Sequence, residues 1–291
     1  MQSRLVRGGC LENFTYVIAE RDGSRVSPPS VLPSIVRGYH DPGGENVDLR
    51  VETSTTDVCI KDASGRAIDA PPLYEVWAKT SDKGEYNLCS GIEYQAEKES
   101  CPNEVGALKG KAIAVPGYWD KKGRYASTVD GKSVVTLACI SGVAAKCVHW
   151  GYVPWATYPH GTGTKLAEHH EACVIAARAR YLNNDTSYTC DNTLVDIFDG
   201  LGIRQKDAGS RAANLAFEAA WGAEGLVCLK RARYEGCEDV FKTIGSRKRC
   251  QQDYNPGEAW PQGTLLLTRS EPGRLALQGK CPVKPELCTK Q

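Results

Sequence analysis

Between residues 139 and 202 the chain reads Cys139-Ile140-Ser141-Gly142-Val143-Ala144-Ala145-Lys146-Cys147, then His149-Trp150-Gly151-Tyr152-Val153-Pro154-Trp155. A segment from Leu166 to Tyr181 follows, and then Thr189-Cys190-Asp191-Asn192-Thr193-Leu194-Val195-Asp196-Ile197-Phe198-Asp199. Within it, Leu166, Cys173, Val174, Ala177 and Tyr181 recur at spacings of three, four and seven, while Glu168, Glu171, Arg178 and Arg180 fall on other faces. Thr162 or Thr164 can cap this segment; acidic residues come early and arginines late, as the helix dipole favours. The spacing predicts one prominent α-helix around residues 164–182.

Outward from that helix, the pattern is that of strands. Phe14 to Ala19, Val47 to Ile60, Tyr74 to Ala78, Tyr86 to Glu93 and Lys111 to Val115 alternate or are short and β-branched. Asp130-Gly131 separates Tyr125–Val129 from Val134–Cys139 as hairpin chemistry does. Downstream, Arg211 to Trp221 reads two ways, since its alanines favour helix while Leu215, Phe217, Ala219 and Trp221 alternate; the Gly222 to Gly225 turn followed by Leu226–Leu229 makes a second hairpin the better reading. Gly263–Thr268 is the last core strand expected, and Lys242 to Arg249 reads as a basic loop. The fold class is therefore mainly β, with antiparallel sheets. No repeat or linker divides the chain, so the expected organisation is an N-terminal strand and lead-in (1–30), one β-rich domain (31–270) and a C-terminal tail (271–291).

The 291 residues are 41% hydrophobic, enough for a packed core. Lys and Arg number 36 against 35 Asp and Glu, leaving a formal charge of +1, so no global field draws nucleic acid. No apolar run reaches bilayer length, and no membrane span is expected. Thirteen cysteines, dispersed from Cys10 to Cys288 without close pairs, read as disulfides formed in an oxidising compartment. The expected location is secreted, periplasmic or cell-envelope. Residues 1–10 contain no apolar signal core, so the export signal is expected to have been removed. Spacing does not determine connectivity; Cys139–Cys147, Cys173–Cys190 and Cys237–Cys250 are the sequence-local pairings to test, and an odd count leaves one sulfur over.

Several motifs along residues 40–270 together resemble the bacterial ADYC-domain family. They are Ala112-Ile113-Ala114-Val115-Pro116-Gly117-Tyr118-Trp119-Asp120, Ala144–Cys147 leading to Gly151–Trp155, and His170-Glu171-Ala172-Cys173. Arg178–Leu182, Asp191–Asp196 and Phe217–Trp221 continue the series in order. The name-giving Ala-Asp-Tyr-Cys is here Ala179-Arg180-Tyr181-Leu182, so no role of the family's aspartate carries over. Cys190 stands after the helix as a replacement for the lost cysteine. The resemblance implies a secreted or envelope protein of bacterial type and brings no established activity.

Candidate chemistry stays divided. His170 and Cys173, three apart on one helical face, have the spacing of a metal pair or a Cys–His nucleophile; the plainer reading is a disulfide through Cys173 and a His170 bond to a backbone carbonyl. Asp191, Asp196 and Glu218, with Asp199, lie near aromatics as a glycosidase's carboxylates do, and with His170 they form the catalytic candidates. His160 to Lys165 resembles an anion loop but lacks the phosphate-loop pattern. Trp119, Trp150, Tyr152 and Trp155 are the ligand-binding candidates, aromatics on turn-rich stretches able to stack on sugar rings. Two functions follow: a module binding extracellular polysaccharide or another cell-surface polymer, and an extracellular hydrolase or lyase. Neither calls for a cofactor or a metal. Whether the protein is an enzyme, and its oligomeric state, are left open by the sequence.

Overall fold

The fold comes from a computed structural model. It describes residues 2–7, 15–20, 34–41, 45–53, 60–62, 64, 67–68, 73–80, 84–87, 89, 110–119, 125–126, 128–129, 132–140, 142–159, 163–182, 187–189, 193–234 and 237–273. Backbone contacts group into two compact units, one of Met1–Ile60, Ile68–Asp120 and Arg124–His149, the other of Lys61–Ala67, Lys121–Gly123 and Trp150–Gln291.

The first unit is a sheet that closes on itself. Its strands are β1 (Gln2–Arg7), β2 (Thr15–Glu20), β3 (Ser34–Asp41) and β4 (Glu45–Thr53). After a short ribbon of β5 (Ile60–Lys61) and β6 (Ala67–Ile68) come β7 (Leu73–Thr80), β8 (Gly84–Asn87) and β9 (Lys111–Pro116). A second ribbon, β10 (Tyr118–Trp119) with β11 (Tyr125–Ala126), precedes β12 (Thr128–Val129) and β13 (Lys132–Cys139). Neighbours run β13-β2-β1-β3-β4-β7, and β9 pairs with both β7 and β13, completing the ring. Every pairing in the ring is antiparallel except β1 with β3. Residues Ala112, Ile113, Ala114 and Val115 of β9 are all buried, so both faces of this strand are covered, which is why they read as an unbroken apolar run. Helix α1 (Val143–His149) follows β13.

In the second unit, β14 (Thr157–Tyr158) and β15 (Thr164–Lys165) form a ribbon that leads directly into α2 (Ala167–Ala177). Beyond it lie β16 (Val195–Asp199), β17 (Ala216–Gly222), β18 (Gly225–Leu229), helix α3 (Glu238–Ile244) and β19 (Leu266–Ser270). These four strands make an antiparallel sheet in the order β16-β19-β17-β18, and α2 packs on β17, β18 and β19. One apolar cluster joins Phe198, Phe217, Ala220, Cys228, Cys250 and Leu267, with Tyr254 and Trp260 edge-on to Phe217 and Phe198.

The mainly antiparallel architecture with its one long helix is as the sequence predicts. Three local expectations change. First, α2 is capped by Leu166 with no side-chain bond, because Thr164 is paired with Tyr158 in the ribbon and cannot turn back on the helix. Second, Val143–His149 and Glu238–Ile244 are helices; each is seven residues, too short to display a helical period. Third, the disulfides join sequence-distant neighbours: Cys89 with Cys139, and Cys228 with Cys250. These replace the Cys139–Cys147 and Cys237–Cys250 pairings, because cross-strand proximity, such as the bridge Leu229↔Arg249, decides which sulfurs meet. Cys147, Cys173 and Cys237 are also disulfide-bonded. Cys190, expected as the partner of Cys173, lies outside the described residues.

Chain-entropy closure over separations of 50 and 22 residues is worth about 4 and about 3 kcal/mol respectively.

Candidate functional site

The polar centre of the second unit is built where α2 meets the sheet. The register of β17 against β19 slips between Phe217, opposite Arg269, and Ala219, opposite Thr268, so Glu218 is the extra residue of a β-bulge. Its carbonyl accepts from the backbone N–H of Lys230 at 2.8 Å. The fully buried carboxylate takes a fork from Arg233, Nε to Oε2 at 3.1 Å and Nη2 to Oε1 at 3.0 Å. Arg233 also donates to the carbonyls of Ala176 and Ala177, both at 2.9 Å, in the last turn of α2, where the helix dipole is negative. One guanidinium thus ties helix to sheet. Burial pulls its pKa down, but the charge of Glu218, the hydrogen bonds to it and the neighbouring tyrosines together outweigh that and raise it.

Tyr181 completes this centre. Its hydroxyl donates to Glu218 at 2.8 Å and accepts the backbone N–H of Arg233 at 2.7 Å; its ring stacks on Trp221. Burial first, and then the Glu218 charge, push its phenol well above the ordinary range, so it stays neutral. The turn that places it is a Schellman motif: Arg180 N–H bonds Ile175 O at 3.1 Å, Ala179 N–H bonds Ala176 O at 2.9 Å, and Ala179 has φ 48°. Three residues of the Ala179-Arg180-Tyr181-Leu182 segment therefore make the helix stop and the lock that follows it.

A second polar group surrounds Tyr152. His170 Nδ1 lies 2.8 Å from the Tyr152 carbonyl, and because a carbonyl only accepts, Nδ1 carries the proton. Burial holds the His170 pKa down at about 4, so the ring is neutral. The Tyr152 hydroxyl donates to Asp199 Oδ2 at 2.8 Å. Asp199 in turn accepts the backbone N–H groups of Leu201, Ile203 and Arg204 at 2.7, 3.2 and 2.7 Å, closing the loop after β16. His169 stacks beside Tyr152 with ring centroids 6.5 Å apart, and burial lowers its pKa as well.

The candidates thus bond to different partners. Asp196 is buried and bonded by Arg269 Nε and Nη2 at 2.8 and 2.6 Å, and burial raises its pKa despite that arginine. Glu218 belongs to the Arg233 lock, and His170 to the Tyr152 group. Asp191 lies outside the described residues, as do His160 to Thr162 of the suggested anion loop. With Cys173 in a disulfide, its sulfur is no thiolate to pair with His170, and no metal-binding group of His, Cys, Asp and Glu occurs among the described residues.

Among the aromatics, Tyr152 is fully buried and Trp150 half-buried, while Trp119 lies in β10 with only its backbone described. Trp155 is 39% exposed, on a turn between the bonds Ala156 N–H to Val153 O at 2.9 Å and Leu166 N–H to Ala156 O at 3.0 Å. Nearby, the Tyr158 hydroxyl donates to buried Asp62 at 2.7 Å. Arg233 and Arg269, which occupy the two carboxylates, carried no signal in the sequence: each meets its acid only through strand pairing or a loop return.

These features define a disulfide-linked, mainly antiparallel β protein in which a buried ion pair fastens a helix to a four-stranded sheet. The chain belongs to the ADYC domain family, whose model matches residues 39–235. No curated protein and no solved structure matches it. The family match ends before β19, the strand that lies between β16 and β17. Among the described residues, no helix is long and apolar enough to cross a membrane.

Proposed function

We propose that this chain is a secreted or envelope-associated bacterial protein that binds carbohydrate or another cell-surface polymer, with Trp155 as its contact face. The observation carrying this reading is the exposure of Trp155 on a backbone-braced turn. Of the large apolar side chains described, only Trp155 and Leu194 are exposed to this degree. An indole carried on a braced backbone offers a flat apolar surface for a sugar ring. The disulfides support an oxidising compartment.

Binding ranks ahead of hydrolysis because Asp196 and Glu218 are buried and already occupied by Arg269 and Arg233. A general acid needs an oxygen within reach of substrate. Titration of Trp fluorescence with a panel of cell-wall and plant oligosaccharides tests the reading: at least one should change the emission of the wild type, and Trp155→Ala should remove that change. Flat titrations across the panel count against it.

A further inference from the structure

Three consecutive cations, Arg247, Lys248 and Arg249, lie exposed on the short 3-10 turn Ser246–Lys248 and the residue after it. The segment is fixed at the sheet edge. Cys250 is bonded to Cys228 of β18, its N–H bonds the Leu229 carbonyl at 3.1 Å, and Leu229 bridges Arg249 in parallel. The side chains are braced as well: Lys248 Nζ donates to the Leu226 carbonyl at 3.1 Å, and the Arg249 guanidinium sits 4.6 Å from the centre of the Phe241 ring.

Among the described residues no carboxylate pairs with any of the three. The closest acid in sequence, Asp253, lies 3.6 Å from Lys230 instead. In a chain of net charge +1 this is a local excess, held together against its own repulsion by a disulfide and a ring contact. An arginine stacked on an aromatic face keeps its N–H rim free for bidentate contact with carboxylate or phosphate.

We propose that the Arg247-Lys248-Arg249 ridge is a binding surface for a linear polyanion, a polymer bearing repeated phosphate or carboxylate groups. A polymer fits better than a small anion, because three cations in a row each supply one modest contact and a chain of charges engages them together. The ridge does not depend on the Trp155 reading: a neutral glycan satisfies Trp155 and leaves the ridge untouched.

Anisotropy of labelled polyphosphate, polygalacturonate and neutral dextran, titrated with the protein at about 50 and about 200 mM salt, tests this. One or both polyanions should bind, with affinity falling roughly tenfold or more across that salt range, and dextran should not show this salt dependence. Binding of only one polyanion supports the proposal and identifies the charged group. The variant Arg247→Gln/Lys248→Gln/Arg249→Gln should lose at least tenfold in affinity. Arg247→Gln alone, whose side chain makes no bond within the described fold, should lose a few-fold without touching stability. Trp155→Ala should keep polyanion binding, so the two readings fail separately. If neither polyanion binds, or the triple variant binds like the wild type, the ridge is an ordinary solvated surface.

Discussion

Arg233 grips Glu218 through Nε and Nη2 at 3.1 and 3.0 Å, with both side chains wholly excluded from solvent. Removing one partner leaves a buried charge uncompensated, a loss of about 3–5 kcal/mol. Glu218→Met and Arg233→Met should each destabilise by about that amount. The double variant Glu218→Met/Arg233→Met should lose markedly less than the sum of the singles, because two buried charges have gone together. Urea unfolding of the wild type, the two singles and the double closes the cycle; additive losses would show that the pair is uncoupled.

Tyr181 supplies the hydroxyl between the same two residues. Tyr181→Phe keeps the ring on Trp221 but orphans the buried N–H of Arg233, at a cost of about 1–3 kcal/mol. The denaturation midpoint should drop with an unchanged m-value. A midpoint within error of the wild type would mean that the hydroxyl contributes nothing.

His170 makes stability depend on pH. Its folded pKa of about 4 lies below the unfolded value of about 6.5, so the unfolded chain binds more protons between these limits and stability falls as the medium is acidified through them. The shift corresponds to about 3 kcal/mol, fully present above pH ~6.5 and lost toward pH ~4. His170→Asn keeps a donor toward the Tyr152 carbonyl and removes the titration, so its stability between those pH values should slope less. His169, also lowered, retains the remainder of the slope. Equal slopes for the two proteins would remove His170 from the account.

Backbone approach constrains Gly222. A Cβ there would stand 2.4 Å from the Gly263 carbonyl oxygen, so Gly222→Ala must shift the end of β17 or the turn that holds Gly263. A loss of about 1–3 kcal/mol is expected, as for other overpacked sites. Gly257, at φ 82° with open space around its would-be Cβ, bears only the left-handed backbone cost, about 1–2 kcal/mol. Thermal unfolding of both variants compares a steric clash with a purely conformational penalty.

Reduction removes the closure of the Cys89–Cys139 and Cys228–Cys250 loops. Each is worth about 3–4 kcal/mol by chain entropy, so the fully reduced protein should unfold at much lower urea than the oxidised one. An unmoved midpoint would show that the bridges are incidental to stability.

Local chemistry was legible in the chain. Residues Lys111–Val115 and the run ending at Cys139 are strands because their β-branched and small apolar residues bury on a pleated surface, and the Gly222–Gly225 turn sets the β17–β18 hairpin. The α2 segment was visible from its spacing, although a helix buried on nearly every side shows little amphipathic contrast. The seven-residue helices at Val143 and Glu238 were hidden, because less than two turns carries no measurable period.

The sequence by itself determined the strand-rich composition, the main helix and the sulfur content, since these depend on neighbours a few residues apart. Tertiary structure alone decided which cysteines pair, that Glu218 faces Arg233 across a bulge, and that Tyr152 is core while Trp155 meets solvent. The reason is reach: a carboxylate's partner, a sulfur's mate and an indole's exposure are set by strands and loops that return from far along the chain, and spacing does not encode where they return.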